Sequence, residues 1–320
     1  MDTIEPPPMR KTVLLFNPLA GSRQERRRKD IESVLAVLRE NGVEVVAEPT
    51  RGAGESAAQA LQAVKQGCDT VFACGGDGTI HDILQGLIGT NAALGIIPLG
   101  TANVVAHDLA IPRSPAAAAQ FALSAQQRKA AVGKIEYIDL SGKNSERFFL
   151  AALGIGADAH VFYKLNATMK NRLGMGAYYV RAAHLWLTHE MESFEVAFAD
   201  ERDNNTFDDV SQLLAVRIKN FGGVLREFAP GASLDRNNLR LVLFRTRSRI
   251  AYMRYITRCL IGAKYDVKGI EYAYATSVRC RSLESSSRIF VEADGELLGT
   301  LPARISILPD AVTLLVPKTS

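Results

Sequence analysis

The segment TVFACGGDGT, residues 70–79, says most about the fold of this chain. Its first five residues form a short apolar run, which predicts a buried strand. The glycines at positions 75, 76 and 78 let the backbone approach a ligand closely, and a predicted helix, residues 80–88, follows them directly. A strand that turns through glycines into a helix aims backbone amides at negative charge, so this segment is expected to bind phosphate.

The sequence around this segment alternates short apolar runs with helical patterns. Asn17-Pro18 ends the first run, and Gly42 and Gly67 end the two earlier helices. Alternation at this rhythm predicts an α/β N-terminal domain with a parallel sheet and helices on both faces. The predicted strands are residues 12–16, 43–47, 70–74 and 94–97, and the predicted helices are residues 29–40, 56–66 and 80–88.

The pattern changes near residue 131, where short runs rich in β-branched and aromatic residues begin. Such runs, separated by Gly, Asn, Asp and Ser, predict a mostly antiparallel β C-terminal domain, interrupted by helices at 177–187 and 250–261. We expect a nucleotide-binding domain at 11–133 and a substrate domain at 134–309, and a last strand at about 310–317 could return to the first domain. The predicted strands of the second domain are residues 135–140, 147–151, 194–199, 212–218, 239–244, 267–274, 288–292 and 303–308.

Composition narrows the kinds of partner and the cellular compartment that we expect for this protein. The 320 residues carry a net charge of +4, a mild excess that favours nucleotide phosphates and acidic lipid surfaces and does not indicate nucleic acid. The four cysteines form no CxxC pair, which suggests a reducing cytoplasm. The N-terminus lacks the order of a secretory signal, and no apolar stretch is long enough for a membrane helix. We therefore expect a soluble cytoplasmic protein whose membrane contact is peripheral.

Asp77 lies in the middle of the glycine segment. A carboxylate there would repel phosphate unless a cation stands between them, so Asp77 is a candidate for bridging to Mg²⁺, directly or through water. The alternative is a tight turn that Asp77 merely caps. Neither GxxxxGK[ST] nor GxGxxG is present at this segment, so a different phosphate-binding design is required.

Four segments, in order, resemble the diacylglycerol kinase catalytic-domain family of bacterial soluble lipid kinases. They are Asn17-Pro18-Leu19-Ala20-Gly21-Ser22, Gly75-Gly76-Asp77-Gly78-Thr79, Pro98-Leu99-Gly100-Thr101-Ala102-Asn103 and Glu292-Ala293-Asp294-Gly295-Glu296. Sphingosine kinases, NAD kinases and phosphofructokinases share the second of these. The resemblance implies a Rossmann-like N-terminal domain, ATP and Mg²⁺ as cofactors, and a lipid substrate at a membrane surface; a homodimer is left open.

The resemblance also assigns roles. Glu296 matches the family's general base, which takes the proton from the lipid hydroxyl. Asp-Gly is also a strong hairpin signal, and both interpretations of residues 294–296 can hold at once. Asp77 is the second catalytic candidate and the metal candidate. The residues expected at the nucleotide are Asn17, Gly21, Ser22, Thr50, Gly75, Gly76, Asp77, Gly78, Thr79, Ile80 and Thr101.

Basic residues follow the first loop. One or two of Arg23 and residues 26–29 could reach the transferring phosphate, although a solvated helix start explains most of them; Arg23 is the candidate that we add to the nucleotide site. Two departures from the family pattern matter. His81 replaces an amide after the glycine segment, and Arg236 stands where some relatives have a carboxylate of a structural metal site, so a strong metal site near Asp235 is not expected.

The acceptor pocket is the least defined part of the sequence. Apolar residues 148–150, Gly154, Phe162 and Tyr163 could line an acyl-chain cleft, but such residues are more often core. The predicted helix 177–187, with Arg181 and Trp186, could touch a membrane. Three functions stay open: a lipid kinase acting on diacylglycerol, an NAD kinase-like enzyme with a soluble substrate, and a nucleotide- or lipid-binding sensor without turnover.

Overall fold

The computed structural model describes residues 9–18, 24–52, 54–156, 191–199, 204–222, 228–284 and 287–318. Its contacts divide the chain into two compact units. Unit 1 comprises Met1–Val132 with Pro309–Ser320, and unit 2 comprises Gly133–Leu308. The predicted helix at 177–187 lies outside the described residues. None of the helices in the described ranges combines the length and apolar character that spanning a bilayer requires.

Unit 1 is built on a parallel sheet in the order β2-β1-β3-β4, and the end of the last strand, β15, pairs in parallel with β4. All six residues of β3 and of β4 are buried, as expected for central strands covered on both faces. The elements are β1 (Lys11–Phe16), α1 (Gln24–Glu40), β2 (Glu44–Pro49), α2 (Glu55–Lys65), β3 (Thr70–Gly75), α3 (Asp77–Leu87), β4 (Ala93–Pro98), α4 (Val104–Asp108) and α5 (Pro115–Ser124).

Unit 2 is almost entirely antiparallel. One run of paired strands follows the order β12-β11-β10-β7-β14-β15. A second run, β9-β8-β13, pairs with β15 through β13. Strand β15 also pairs with β5, and β5 pairs with β6. The elements are β5 (Gln126–Asp139), β6 (Asn144–Phe149), β7 (Ala152–Gly156), β8 (Phe194–Ala199), β9 (Asn204–Val210), β10 (Gln212–Val216), β11 (Leu239–Phe244), α6 (Arg249–Ile261), β12 (Ile270–Ala275), β13 (Ser277–Ser282), β14 (Phe290–Ala293) and β15 (Glu296–Val316).

The core of unit 2 follows from the two-residue period of its strands. On β10, Leu213 and Ala215 belong to one buried cluster, while Leu214 and Val216 belong to another on the opposite face of the strand. The second cluster includes the inner residues of α6, so this helix covers that face of the strands. The predicted combination of an α/β domain with a mostly antiparallel β domain is thereby confirmed.

The structure adds elements that the sequence interpretation did not predict. Helices α4 and α5 and strands β7, β9 and β13 are new, and β5 begins at Gln126, well before the expected start at 135. Helix α1 begins at Gln24, before the predicted start at residue 29, so Arg26 to Lys29 lie inside it. Arg26, Arg28 and Lys29 are exposed, as a solvated helix start predicts, whereas Arg27 is half-buried.

Candidate functional site

The loops at the carboxyl edge of the unit 1 sheet carry the predicted nucleotide residues. Asn17 follows β1, Thr50 follows β2, the glycine segment begins at the end of β3, and Thr101 follows β4. In the strand order 2-1-3-4, β1 and β3 are neighbours whose connections leave in opposite directions, and ligands of open α/β sheets bind at such a switch point. The order of the strands therefore favours a ligand between the Asn17 loop and the glycine segment.

The glycine segment is a tight strand-to-helix turn. The Gly76 carbonyl accepts hydrogen bonds from the backbone amides of Thr79, at 3.0 Å, and Ile80, at 3.2 Å, which starts helix α3 immediately after β3. A side chain at Gly75 would collide with Thr79. The predicted turn is therefore present, and it directs the N-terminus of an 11-residue helix toward the carboxyl edge of the sheet.

The β4 loop lies directly against this turn. A Cβ atom at Gly100 would stand 2.5 Å from the Cα atom of Gly76, so the two backbones touch and only glycine fits at position 100. The Leu99 amide donates to the Gly75 carbonyl at 2.8 Å. Asn103 closes the loop, because its side chain accepts from the Gly100 amide at 3.0 Å and donates to the Gly100 carbonyl at 2.8 Å. The two predicted segments thus form one continuous backbone surface.

Asp77 takes part in this arrangement through one of its carboxylate oxygens. The Val104 amide, at the start of α4, donates to Asp77 Oδ1 at 2.8 Å. The contact ties the loop after β4 to the first turn of α3, so Asp77 has a structural role besides the predicted role at the metal.

Thr50 is held by the loop around it. Its amide donates to the Phe16 carbonyl at 2.8 Å, which extends the pairing of β1 and β2 by one residue. The buried side chain of Gln59 brackets the loop, since Nε2 donates to the Pro49 carbonyl at 3.1 Å and Oε1 accepts from the Arg51 amide at 3.0 Å. Thr50 is thus fixed beside the end of β1.

In unit 2, Asp294 and Gly295 form a two-residue hairpin turn between β14 and β15. Both residues have positive φ, 49° and 84°, as in the turn type that Asp-Gly favours. Ala293 pairs with Glu296 across the turn, and Glu296 is exposed at the start of β15. The hairpin interpretation is correct, and the residue that follows the turn, Glu296, is exposed.

The carboxylate of Asp294 anchors this hairpin to the segment before β7. Oδ2 accepts from the Leu150 amide at 2.9 Å, and Oδ1 accepts from the amides of Ala151 at 2.9 Å and Ala152 at 3.1 Å. The fully buried Arg217 lies nearby: burial lowers the pKa of its guanidinium to about 10, and the Asp294 charge opposes that shift. The sequence interpretation placed Asp294 in the motif but gave it no separate role.

Comparison with known proteins identifies the family. A model of the diacylglycerol kinase catalytic domain matches residues 11–135, and a model of the YegS C-terminal NAD kinase beta sandwich-like domain matches residues 151–316. The chain belongs to the diacylglycerol kinase catalytic-domain family. It is therefore a member of a kinase family that uses ATP.

Individual relatives align with this kinase from end to end. It is 26% identical over 313 residues to a diacylglycerol kinase of Bacillus subtilis (strain 168), with 97% of both chains covered. A crystal structure of a diacylglycerol kinase from Bacillus anthracis superposes with a TM-score of 0.73 at 22% identity, covering 96% of this chain and 97% of that one. Yeast NADH kinase in complex with NADH has the same general fold, with a TM-score of 0.52 at 10% identity over 97% of this chain and 84% of that one.

Some of the residues singled out in the sequence lie outside the described ranges, and two others have contacts that the sequence did not predict. Gly21, Ser22 and Arg23 lie outside the described residues, as do Phe162 and Tyr163. His81 is buried in α3, where its carbonyl accepts from Gln85. Arg236, the residue that departs from the metal pattern, stacks on the ring of Tyr274 at 4.4 Å.

Within the part of the chain that the structure describes, no three His, Cys, Asp or Glu side chains converge on a metal position. Mg²⁺ at nucleotide sites is commonly held by one or two carboxylates together with the phosphates. Asp77, at the edge of the sheet and beside a helix N-terminus, fits that arrangement. The residues present therefore suit a metal that arrives with the nucleotide.

Arg27, from the basic run after the first loop, has a definite place among the loops of this edge. Its guanidinium donates to the Asn17 carbonyl at 2.7 Å and to the Leu99 carbonyl at 3.4 Å, so it joins the loops after β1 and β4. Partial burial lowers the pKa of this guanidinium, and the Asp30 charge opposes the shift. A basic residue one turn inside a helix gives no sequence signal for this role.

Replacing Arg27 by Ala should loosen both loops of the kinase. We expect a loss of about 1–3 kcal/mol in the free energy of unfolding, since two carbonyls lose a charged donor, and at least fivefold weaker nucleotide binding. Urea unfolding and calorimetric titration with ATP measure the two effects. Arg28→Ala is the matched control, because Arg28 is exposed and forms a single surface pair with Glu32. Equal effects of both substitutions would contradict the bridging role.

Proposed function

We propose that this protein is an ATP- and Mg²⁺-dependent lipid kinase that transfers the γ-phosphate to the hydroxyl of a membrane lipid, with diacylglycerol as the acceptor. The observation that carries the proposal is the end-to-end alignment with proteins named diacylglycerol kinase. The exposed Glu296 on its anchored hairpin supports it, because phosphoryl transfer to an alcohol needs a positioned group to accept the hydroxyl proton.

The nucleotide is proposed to lie on the backbone surface formed by the loops after β1, β3 and β4. Residues 75–80 receive the phosphates at the N-terminus of α3, and Asn17, Thr50 and Thr101 surround them. Arg23, with Gly21 and Ser22, remains a proposed contact. Bound Mg²⁺ would neutralise phosphate charge, and Asp77 would hold it directly or through water.

At the lipid acceptor, the proposed mechanism depends on Glu296 as the base that takes the proton of the hydroxyl. A carboxylate is a weak base, but transfer of a phosphoryl group depends mainly on positioning and on neutralisation of charge. Three backbone amides hold Asp294, and the Asp-Gly turn fixes the position of the backbone at Glu296. This anchoring supports a base held in one place for the lipid hydroxyl.

We further propose a cytoplasmic protein that contacts the membrane peripherally to reach its substrate and has no nucleic-acid partner. The mild positive charge of +4 is compatible with an acidic lipid surface and is too small to argue for nucleic acid. A homodimer is a further possibility that sedimentation of the purified protein would decide.

The proposal is tested by incubating the purified protein with γ-labelled ATP and vesicles that contain diacylglycerol, with and without Mg²⁺. We expect label in the organic phase only when Mg²⁺ is present. Label on NAD in a parallel reaction would instead support the NAD kinase-like alternative, which the resemblance to yeast NADH kinase supports at the level of fold. Nucleotide binding with no transfer would support a sensor without turnover, an alternative that the replacement of the family's amide by His81 favours.

Substitution of Asp77 by Asn separates its two roles. The amide oxygen can still accept from the Val104 amide, so the free energy of unfolding should change by less than about 1 kcal/mol. Loss of the charge should lower the affinity for Mg²⁺-ATP at least tenfold and should not lower the affinity for metal-free ATP, because without a cation the carboxylate would only repel the phosphates. Titration calorimetry with and without Mg²⁺ measures both. Asp77→Ala, which removes the acceptor as well, should add a loss of stability, and wild-type Mg²⁺ dependence in Asp77→Asn would rule out the metal role.

A further inference from the structure

Helix α6 (Arg249–Ile261) carries large apolar side chains on its solvent side. The exposed fractions are 73% for Ile250, 51% for Met253, 36% for Ile256, 47% for Leu260 and 67% for Ile261. At 3.6 residues per turn these five positions fall within an arc of about 140°. We call this group the α6 outer face. An exposed apolar stripe of this kind marks an interaction surface more often than isolated apolar residues do.

The opposite side of the same helix is part of the core. Ala251, Tyr252, Tyr255 and Cys259 are all buried in the cluster that covers β10 and β11, and the ring of Tyr252 lies 4.5 Å from that of Phe244. The orientation of α6 is therefore fixed by packing. The apolar residues of the outer face are not members of that buried cluster, so core packing alone does not account for their apolar character.

The ends of the helix are also fixed. The Ser248 side chain accepts from the Ala251 amide at 3.4 Å, and Gly262 ends the helix with a φ of 67°. A helix capped at both ends and anchored by two buried tyrosines presents its outer face as a rigid surface.

The exposed charges of α6 and of the segment that follows it are mainly positive. The helix contains no Asp or Glu, and within residues 250–268 the exposed basic residues Arg254, Lys264 and Lys268 outnumber the single exposed acid, Asp266. At the first turn, Arg247 and Arg249 line a cleft together with Glu192 and Glu284, so charges there balance. Apolar residues flanked by basic ones are the pattern of a helix that lies in the surface of an anionic bilayer.

We infer that the α6 outer face docks this protein on an anionic lipid bilayer, with Ile250, Met253, Leu260 and Ile261 entering the headgroup boundary. The inference rests on the proposed lipid kinase function and deepens it, because it names the surface through which a protein acting on a membrane lipid meets the membrane. The helix predicted at 177–187 stays a separate prediction, because it lies outside the described residues, whereas the exposure of the α6 outer face is defined. The complementary charge of Arg254, Lys264 and Lys268 selects an anionic bilayer over a neutral one.

The test compares the full-length wild type with the double variant Met253→Glu/Leu260→Glu. Binding is measured by cosedimentation with vesicles of phosphatidylcholine alone and with an equimolar mixture of phosphatidylcholine and phosphatidylglycerol. We expect the wild type to bind the mixed vesicles, and the variant to bind them at least tenfold more weakly. The control is Val46→Glu/Leu140→Glu, at two residues outside α6 with exposed fractions of 53% and 50%, and it should bind like the wild type. Thermal unfolding checks that all three proteins are folded.

Activity measurements distinguish a failure of this inference from a failure of the proposed function. The variant should phosphorylate diacylglycerol in mixed vesicles at least tenfold more slowly and a short-chain, water-dispersed diacylglycerol at a rate within twofold of wild type. A wild type that phosphorylates neither lipid would refute the kinase proposal, while the binding comparison would still decide the role of the α6 outer face. Unchanged vesicle binding by the variant would overturn the inference. Equal binding of the wild type to both kinds of vesicle would also overturn it. If the variant changed from dimer to monomer and still bound vesicles, the α6 outer face would instead be a contact between two copies of the chain.

Discussion

Replacing Glu296 by Gln is expected to lower lipid phosphorylation by about 10²- to 10⁴-fold, the range lost when a general base is removed. The substitution keeps the size of the side chain and removes its ability to take a proton. Glu296 follows a hairpin whose turn is fixed by Asp294 and Gly295, so the backbone around it should not change. Nucleotide affinity should stay within about twofold, because the nucleotide residues lie on the loops of unit 1.

Initial rates with γ-labelled ATP and calorimetric titration with Mg²⁺-ATP test this pair of expectations. Glu195 provides a control: its side chain pairs with Arg281 on β13, and Glu195→Gln should leave turnover near the wild-type value. If Glu296→Gln lost nucleotide affinity in proportion to turnover, the residue would be acting in binding, and the role as a base would have to be abandoned.

Asp294→Ala is expected to have the largest effect on stability. Three backbone amides, those of Leu150, Ala151 and Ala152, would lose a charged acceptor, and Leu150 and Ala151 are buried. Amides left without a partner cost about 1–3 kcal/mol each where water cannot reach them, so we expect the free energy of unfolding to fall by about 3 kcal/mol or more. Turnover should fall as well, because the hairpin that carries Glu296 loses its anchor.

Asp310→Ala is a matched control for the backbone, since Asp310 has a φ of 51°, close to the 49° of Asp294. Alanine is strained at positive φ, and both variants carry that strain. The difference between their urea unfolding midpoints therefore isolates the contacts of the Asp294 carboxylate. Equal loss of stability in the two variants would show that those contacts contribute little.

The sequence predicted those parts of the fold whose signals are local. The apolar run before Gly75 and the glycines after it define both β3 and the start of α3 within ten residues. The Asp-Gly pair predicted the hairpin before Glu296 for the same reason, since turn geometry depends on the residues in the turn. Ser114-Pro115 followed by four alanines is a comparable local signal, and it marks the start of α5, a helix absent from the predicted elements.

Other features depend on distant parts of the chain. Strands β9 (Asn204–Val210) and β13 (Ser277–Ser282) are rich in polar residues and become strands by pairing with β8. The bridge from Arg27 to Leu99 spans 72 positions, and no local pattern in α1 distinguishes Arg27 from its neighbours. Helix α6 was predicted as an element, but which of its apolar residues would be buried depended on the strands that it covers.

The central claim is that the loop from Gly75 to Ile80 holds a nucleoside triphosphate with a divalent ion. Calorimetric titration of the purified protein with ATP, in the presence and absence of Mg²⁺, tests this claim most directly. We expect saturable binding of one ATP per chain that tightens at least tenfold when Mg²⁺ is present. Absence of any heat of binding with Mg²⁺ and ATP, in a protein shown by circular dichroism to be folded, would contradict it.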